Sequence, residues 1–502
     1  MSTPIAQPFR SDGSDEGLTL AETGARLDRL PFSWWHAYFL LAIAVILVFQ
    51  YMDNYAFSYA SPGAIKELHI TTGQVGNLGT IYALGGLLGA LVAGIVLVDR
   101  IGRRRTLLLF TGIYASFCIL NAFVVNVDQF YIARGLSGFG ATGASIPALA
   151  AMAEVCPFIS RGRMITLMTM VGGCGPAAMS WIAHAIVPAG PGDWRWLFGI
   201  SALGFVALFA SLILVPESPR WLVTRGRGPE AERILEKIER SVERQRGTLP
   251  PVVLPEGATA VGATAVAAQV VPGLKGLWVN TIYVFRQGYL KRWLLVGFLL
   301  LGTGFAYTGI GFFLPTLLFL NGGTAAGSLD YAAIIFTCGN GAAFLFWFVA
   351  DRFERKYLIA VGGVILAAST LIFGTTHQTV LIYMFGIIMI AFLQVQVAYL
   401  YTFQTELFPT NVRGNALATV GIAASVFGVY GSRIITDVFT TFGYAAVYIL
   451  LASVEFLFAI VVVFLGERTT RRSVESLNEF REKARLMDSV PLGVEAPGAV
   501  PE

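Results

Sequence analysis

Four ionisable side chains stand inside long apolar runs of this 502-residue chain: Asp53, Arg134, Arg433 and Glu455. Charge in hydrocarbon is costly, so each is a candidate for carrying an ion, holding a solute or pairing with another charge. The run holding Asp53 (QYMDNY) begins near Trp35, which puts the carboxyl about 27 Å along a helix at roughly 1.5 Å per residue. The run holding Arg134 begins near Gln129 and travels the other way, leaving its guanidinium roughly 8 Å from the same surface. The two groups therefore reach similar height. A carboxylate that pairs with a guanidinium when ionised and lets go when protonated can couple a proton to movement; a permanent structural bridge would need the same residues. Arg433 has the geometry to take a solute carboxylate through two parallel bonds. However, Asp437 lies four residues on, on the same helical face, and can neutralise it instead. Glu455 falls near the middle of its run and reads as a protonated or helix-paired structural group.

Uncharged polar residues add a second set of candidates. Asn54 follows Asp53, Tyr307 and Thr308 precede a Gly-Phe-Phe-Leu-Pro stretch, and Gln394, Gln396, Tyr399, Tyr401 and Gln404 recur through one apolar run. Positions 394, 401 and 404 fall roughly on one face, because seven and ten residues make near-whole helical turns. Amides and phenols on a cavity wall suit hydroxyl-bearing or aromatic solutes. The same groups also bond helix to helix.

The elements that must position these residues follow from composition. Hydrophobic residues make up 55% of the chain, charged residues 13%, and 55 positions are glycine. A soluble domain carries about 25% charged residues and has no single core large enough for this much apolar surface. Each bilayer crossing needs about 20 mostly apolar residues. Twelve such runs are legible, at 35–60, 74–98, 106–126, 129–153, 163–188, 196–215, 292–320, 328–350, 357–376, 379–405, 414–438 and 443–466. The fold class is thus an all-α integral membrane protein of twelve transmembrane helices, six in 35–215 and six in 292–466. A tail (1–34) precedes them, a linker (216–291) separates them and a second tail (467–502) follows. Residues 229–246 carry Ile234, Leu235 and Ile238 on one side of an amphipathic helix in that linker, which reads as a tether more than as a binding domain. Four cysteines in or beside apolar runs (Cys118, Cys156, Cys174, Cys338) read as small packing residues. The polar N-terminus has no hydrophobic core of the kind a secretory signal needs.

Arginine and lysine gather in alternate loops: Arg100 to Arg105, Arg161 and Arg163, Arg220 to Arg227, Arg352 to Lys356, and Arg413. The opposite loops offer Lys66 and Arg195. By the positive-inside rule both tails and the linker face the cytoplasm, and a bacterial inner-membrane location is expected.

Two motifs occur twice. Asp99–Arg105 (DRIGRRR) after the second run matches Asp351–Lys356 (DRFERK) after the eighth. Glu154–Arg163 (EVCPFISRGR) at the end of the fourth matches Glu406–Gly414 (ELFPTNVRG) at the end of the tenth. Repetition at corresponding places marks an internally duplicated transporter. The charges suit a cytoplasmic gating role for Asp99, Arg100, Arg103, Glu154, Arg161, Asp351, Arg352, Glu406 and Arg413. With Pro216–Leu222 (PESPRWL) and the Arg134-x-x-x-Gly138-Phe-Gly140 string, these motifs resemble the sugar-porter and organic-ion branches of the major facilitator superfamily over about residues 35–470. The resemblance implies a major facilitator fold of two six-helix bundles, 35–215 and 292–466, around a central cavity that opens alternately to each side and is lined by the first, fourth, seventh and tenth helices. It also implies that Asp53 and Arg134 occupy the acid and arginine positions of proton-coupled porters.

No GxxxxGK[ST], HExxH or GxSxG motif is present, so neither an ATP-driven pump nor an embedded enzyme is expected, and no cofactor or metal. The expected partners are the lipid bilayer, protons and a small-molecule substrate, without nucleic acid, for a monomeric chain. Proton-coupled uptake of an organic or aromatic acid leads. A sugar or polyol porter follows, then a drug or metabolite exporter or a transporter-like sensor. Asn54, Tyr307, Thr308, Gln394, Tyr401, Gln404 and Arg433 are the candidate substrate contacts.

Overall fold

The computed structural model describes residues 18–156, 158–190, 192–204, 206, 214–252, 282, 285, 288–347, 354–408 and 410–467, all helical or in turns. A short helix α1 (Leu20–Asp28) precedes the first half. That half contains α2 (Trp34–Leu68), α3 (Thr72–Leu91, continued by a π turn at Val92–Leu97 to Ile101), α4 (Arg103–Ala122), α5 (Val127–Val155), α6 (Phe158–Ile186) and α7 (Arg195–Ser201). Two linker helices follow, α8 (Pro219–Thr224) and α9 (Gly228–Arg246). The second half begins with α10 (Leu290–Ala306), its π turn Tyr307–Phe312 and α11 (Leu314–Leu320), and continues with α12 (Ala325–Trp347) and α13 (Arg355–Thr375). It ends with α14 (Thr379–Leu407), α15 (Thr410–Gly428), α16 (Gly431–Phe442) and α17 (Tyr444–Leu465).

Eight described helical stretches are long and apolar enough to cross a membrane on composition alone. α5 is rich in Gly, Ala and Ser. Those small residues have a packing purpose. Gly85 and Gly89 of α3 lie so near the Gly135 and Phe139 carbonyls of α5 that a Cβ at either would come within 2.0 Å of an oxygen. Four-residue spacing of glycines puts both gaps on one face and lets the backbones touch.

Two expected spans are broken. The seventh runs as α10, the π turn and α11, with Pro315 in the first turn of α11, where its missing N–H costs nothing. The eleventh breaks between α15 and α16 at Val429 and Tyr430.

The N-terminal tail holds more structure than its polarity suggests. Thr19 caps α1, and Leu27 and Leu30 bury against Leu235, Ile238 and Val242 of α9. Arg26 donates to Glu232 at 2.7 Å and to Glu239 at 2.6 Å, and Arg29 donates to Glu239 at 2.7 Å. Burial alone would push the Glu239 carboxyl up, but the two guanidiniums outweigh it and hold it below the ordinary glutamate range. The linker helix is therefore docked, not a bare tether. Cys118 and Cys156 are packing residues, whereas Cys174 and Cys338 are exposed, contrary to the packing role expected of all four.

Candidate functional site

α2 and α5 run antiparallel and bring Asp53 and Arg134 together, both fully buried. Arg134 Nη1 donates to Asp53 Oδ1 at 3.4 Å and to the Asp53 carbonyl at 3.3 Å. The Cys118 thiol of α4 donates to the same Oδ1 at 3.1 Å. Asp53 Oδ2 and the Arg134 Nε and Nη2 have no hydrogen-bond partner. The guanidinium instead lies over the Tyr82 ring at 4.1 Å and near the Phe57 and Phe198 rings. Aromatic faces attract a cation without taking its hydrogen bonds. The pair is long and single-stranded where a bidentate pair would be short and double.

Two residues beyond Asp53, Tyr55 meets the second half. Its ring is edge-on to Tyr307 at 6.0 Å and to Phe336 at 5.6 Å. Pro176, Asn340, Ile390, Leu393 and Gln394 close around them in a narrow cleft between the halves, too tight here to hold a water molecule. Gln394 donates to Asn340 at 3.0 Å, and Asn340 donates to the Gly173 carbonyl of α6 at 2.9 Å, so an amide relay crosses the interface. The π turn places Tyr307 here; such turns widen a helix locally and turn a side chain outward. Of the other candidates, Asn54 is half-buried and Thr308 donates to the Gly304 carbonyl of its own helix. Tyr401 is 54% exposed while Gln404 is 8% exposed, so the expected common face of α14 divides.

Arg433 does not line this cleft. It pairs with Asp437 at 2.9 Å and donates across the interface to Asn77 Oδ1 at 2.9 Å. Arg433 belongs to a seam at the end of the bundle remote from the arginine-rich loops. In that seam Pro62, lacking an N–H, frees the Ser58 carbonyl, which accepts from Ser61 Oγ at 2.9 Å and from Thr316 Oγ1 of α11 at 3.3 Å. Trp181 donates to Thr337 at 2.8 Å, and His184 meets Asp330 at 2.5 Å. Together these join α2 to α11, α3 to α16 and α6 to α12.

At the basic end each half is tied within itself. Arg103 bonds Glu154 at 3.0 Å and Asp99 at 3.2 Å, and the Glu217 carboxylate caps α4 through the Arg103 N–H at 2.8 Å. Trp221 donates to the Asp99 carbonyl at 2.8 Å, and Arg100 is exposed. In the second half Arg355 pairs with Glu406. Arg103 with Glu154 and Arg355 with Glu406 occupy corresponding positions of the duplicated motifs. Asp351 and Arg352 lie outside the described residues, as do the side chains of Arg161 and Arg413.

Sequence reasoning missed Asn340, Tyr55 and Cys118. A polar Asn inside the apolar run 328–350 was a signal for the first; nothing local marks Cys118, whose role depends on the approach of α2 and α4.

Two helical halves with a buried ion pair, a narrow polar and aromatic cleft between them and duplicated charged turns define a major facilitator fold of twelve helices. The chain belongs to the sugar (and other) transporter family, whose model matches residues 33–480. It is 27% identical over 452 residues to the putative metabolite transport protein YyaJ of Bacillus subtilis (strain 168), covering 89% of this chain and 96% of that one. It is 26% identical over 454 residues to the niacin transporter NiaP of Acinetobacter baylyi, covering 90% and 99%. The partially occluded inward open structure of the xylose transporter XylE from E. coli superposes with a TM-score of 0.69 at 17% identity, over 88% of this chain and 100% of that one. The protein is a multi-pass membrane transporter of the sugar and metabolite type.

Proposed function

We propose that the protein is a monomeric secondary transporter that takes up a small organic or aromatic acid with protons by alternating access. The observation that carries this reading is the Asp53–Arg134 pair: fully buried, singly bonded, with one carboxylate oxygen unpartnered. Protonation neutralises Asp53, removes its hold on Arg134 and leaves the cation to the rings around it. α2 and α5 are then free to shift as the halves rock. The solute's place is between Tyr55, Tyr307, Asn340 and Gln394 once these groups, closed on one another here, move apart; phenol and amide donors then meet a carboxylate and the rings meet an aromatic body. Niacin, a pyridine carboxylic acid, is the solute named for one relative.

The arginine-rich end is cytoplasmic by the positive-inside rule, with both termini and the 216–291 linker on that side. The seam of Arg433, His184 and Thr316 then closes the external side, and this conformation faces inward. Asp99, Arg103, Glu154, Arg355 and Glu406 keep each half rigid at the cytoplasmic surface. A sugar or polyol is the second reading, favoured by the Gln394–Asn340 amide pair.

Labelled nicotinate and xylose are the probes, in vesicles. Asp53→Asn copies the protonated carboxyl in shape and neutrality, so it exchanges the accepted probe at close to the wild-type rate. It does not concentrate that probe under an imposed pH gradient, where the wild type does. Full gradient-driven accumulation by Asp53→Asn would remove Asp53 from the coupling step.

A further inference from the structure

The mid-membrane of the second half holds a carboxyl that the coupling reading does not use. Glu455 of α17 is fully buried, and Gln396 of α14 is 1% exposed. Gln396 Nε2 donates to Glu455 Oε2 at 2.8 Å. Two atoms of this pair lack a hydrogen-bond partner, Glu455 Oε1 and Gln396 Oε1. Both are acceptors if Glu455 is ionised, and each then costs free energy in a dry interior. If Glu455 carries a proton, Oε1 becomes a donor and the amide oxygen is its complement. One proton satisfies both atoms.

The surroundings point the same way. α17 packs on α13, α10, α16 and the π turn. On α13 the neighbour of Glu455 is Gly363, where an added Cβ would come within 3.6 Å of the Glu455 carbonyl oxygen, and the cations Arg355 and Lys356 lie about 12 Å away along that helix at roughly 1.5 Å per residue. On α10, Lys291 and Arg292 sit in the first turn, with Arg292 bonded to Glu467 at 2.7 Å, and Tyr307 belongs to the cleft. On α16 Arg433 is held by Asp437. α14 contributes Tyr383 and Glu406 near its ends and Tyr399 and Tyr401 beyond Gln396. α17 itself contributes Tyr444 and Tyr448 near its start. Among the described residues no cation pairs with Glu455.

We propose that Glu455 is a carboxylic acid that closes a two-hydrogen-bond ring with the Gln396 amide, and that this neutral clamp fixes the rotation of α14 that presents Tyr401 and Gln394 to the interface. Glu455 is then a positioning residue acting through Gln396. The inference stands independently of whether Asp53 carries the transported proton.

The test uses purified full-length protein with Cys174 and Cys338 replaced by Ser, and needs no solute. The infrared difference between this protein and its Glu455→Gln variant at neutral pH contains the C=O band of one protonated carboxyl. A difference containing only carboxylate bands would overturn the proposal. Glutamine both donates and accepts, so Glu455→Gln rebuilds the ring, whereas Glu455→Leu removes it. Tyr401→Cys is the second readout. It reacts with a polar maleimide at the parent rate in the Glu455→Gln background and at a rate altered several-fold in the Glu455→Leu background. Equal rates in all three backgrounds would refute the positioning role even if the carboxyl proves protonated.

Discussion

Gly76 and Gly79 of α3 control how closely the halves approach at the seam. A Cβ at Gly76 would lie 2.1 Å from Thr436 Oγ1 and 3.1 Å from its Cβ; one at Gly79 would lie 2.5 Å from Ser432 Oγ and 2.8 Å from its Cβ. Hydroxyls can rotate, but a 2.8 Å approach between carbons obliges α3 and α16 to separate. Overpacking of this kind costs about 1–3 kcal/mol per site. Only the conformation with the seam closed suffers, because in the alternate state these faces part. Since roughly 1.4 kcal/mol is tenfold in an equilibrium, Gly79→Ala shifts the closed-to-open ratio about 5- to 150-fold towards opening at that end. Spin labels at Val125 and Thr441, both exposed and on opposite halves, report the separation once Cys174 and Cys338 are replaced by Ser. The expected result is a longer-distance population that grows in Gly79→Ala and grows further with Gly76→Ala added. An unchanged distance distribution would refute the seam as the gate and leave these glycines as packing residues of a fixed interface.

Two further outcomes test other levels of the structure. A topology reporter fused after Arg105 or Arg227 is cytoplasmic and one fused near Gly190 or Gly323 is external; an external signal at Arg227 would invert the proposed orientation. Docking of α1 on α9 weakens in acid, because a carboxyl held below its ordinary value stabilises the fold above that value and loses the contribution as pH falls below about 4.5. Hydrogen exchange over residues 20–28 reads this, and Glu239→Gln should speed it at neutral pH by roughly 5- to 150-fold, the equivalent of about 1–3 kcal/mol of charged hydrogen bonds. Unchanged exchange in that variant would mean that Leu27 and Leu30 alone hold α1.

The spans were legible because burial in lipid needs long apolar runs, and the nearness of Asp53 to Arg134 because helix rise converts residue number into depth. Asp53 and Arg134, placed at equal height by that arithmetic, stand 3.4 Å apart. Other features depend on information no single run contains. Asp437 was visible four residues from Arg433, but Asn77, 356 residues away in sequence, was not. Helix α1 has a mean polarity that hides it; its leucines and Arg26 make sense only opposite Ile238 and Glu239. The break after Gly428 has no proline to announce it.

The two ends of the bundle differ in how they are held, and that difference is what alternating access needs. At the basic end the strong charged contacts, Arg103 with Glu154 and Arg355 with Glu406, lie inside each half and do not have to break when the halves separate. At the opposite end the contacts cross between halves and are mostly hydroxyl and amide bonds, such as Ser61 with Thr316 at 2.7 Å and Arg433 with Asn77 at 2.9 Å. A neutral hydrogen bond contributes about 0.5–1.5 kcal/mol net, and water replaces its partner when the seam opens. Each half thus stays rigid while the boundary between them remains within reach of the free energy that a bound solute supplies.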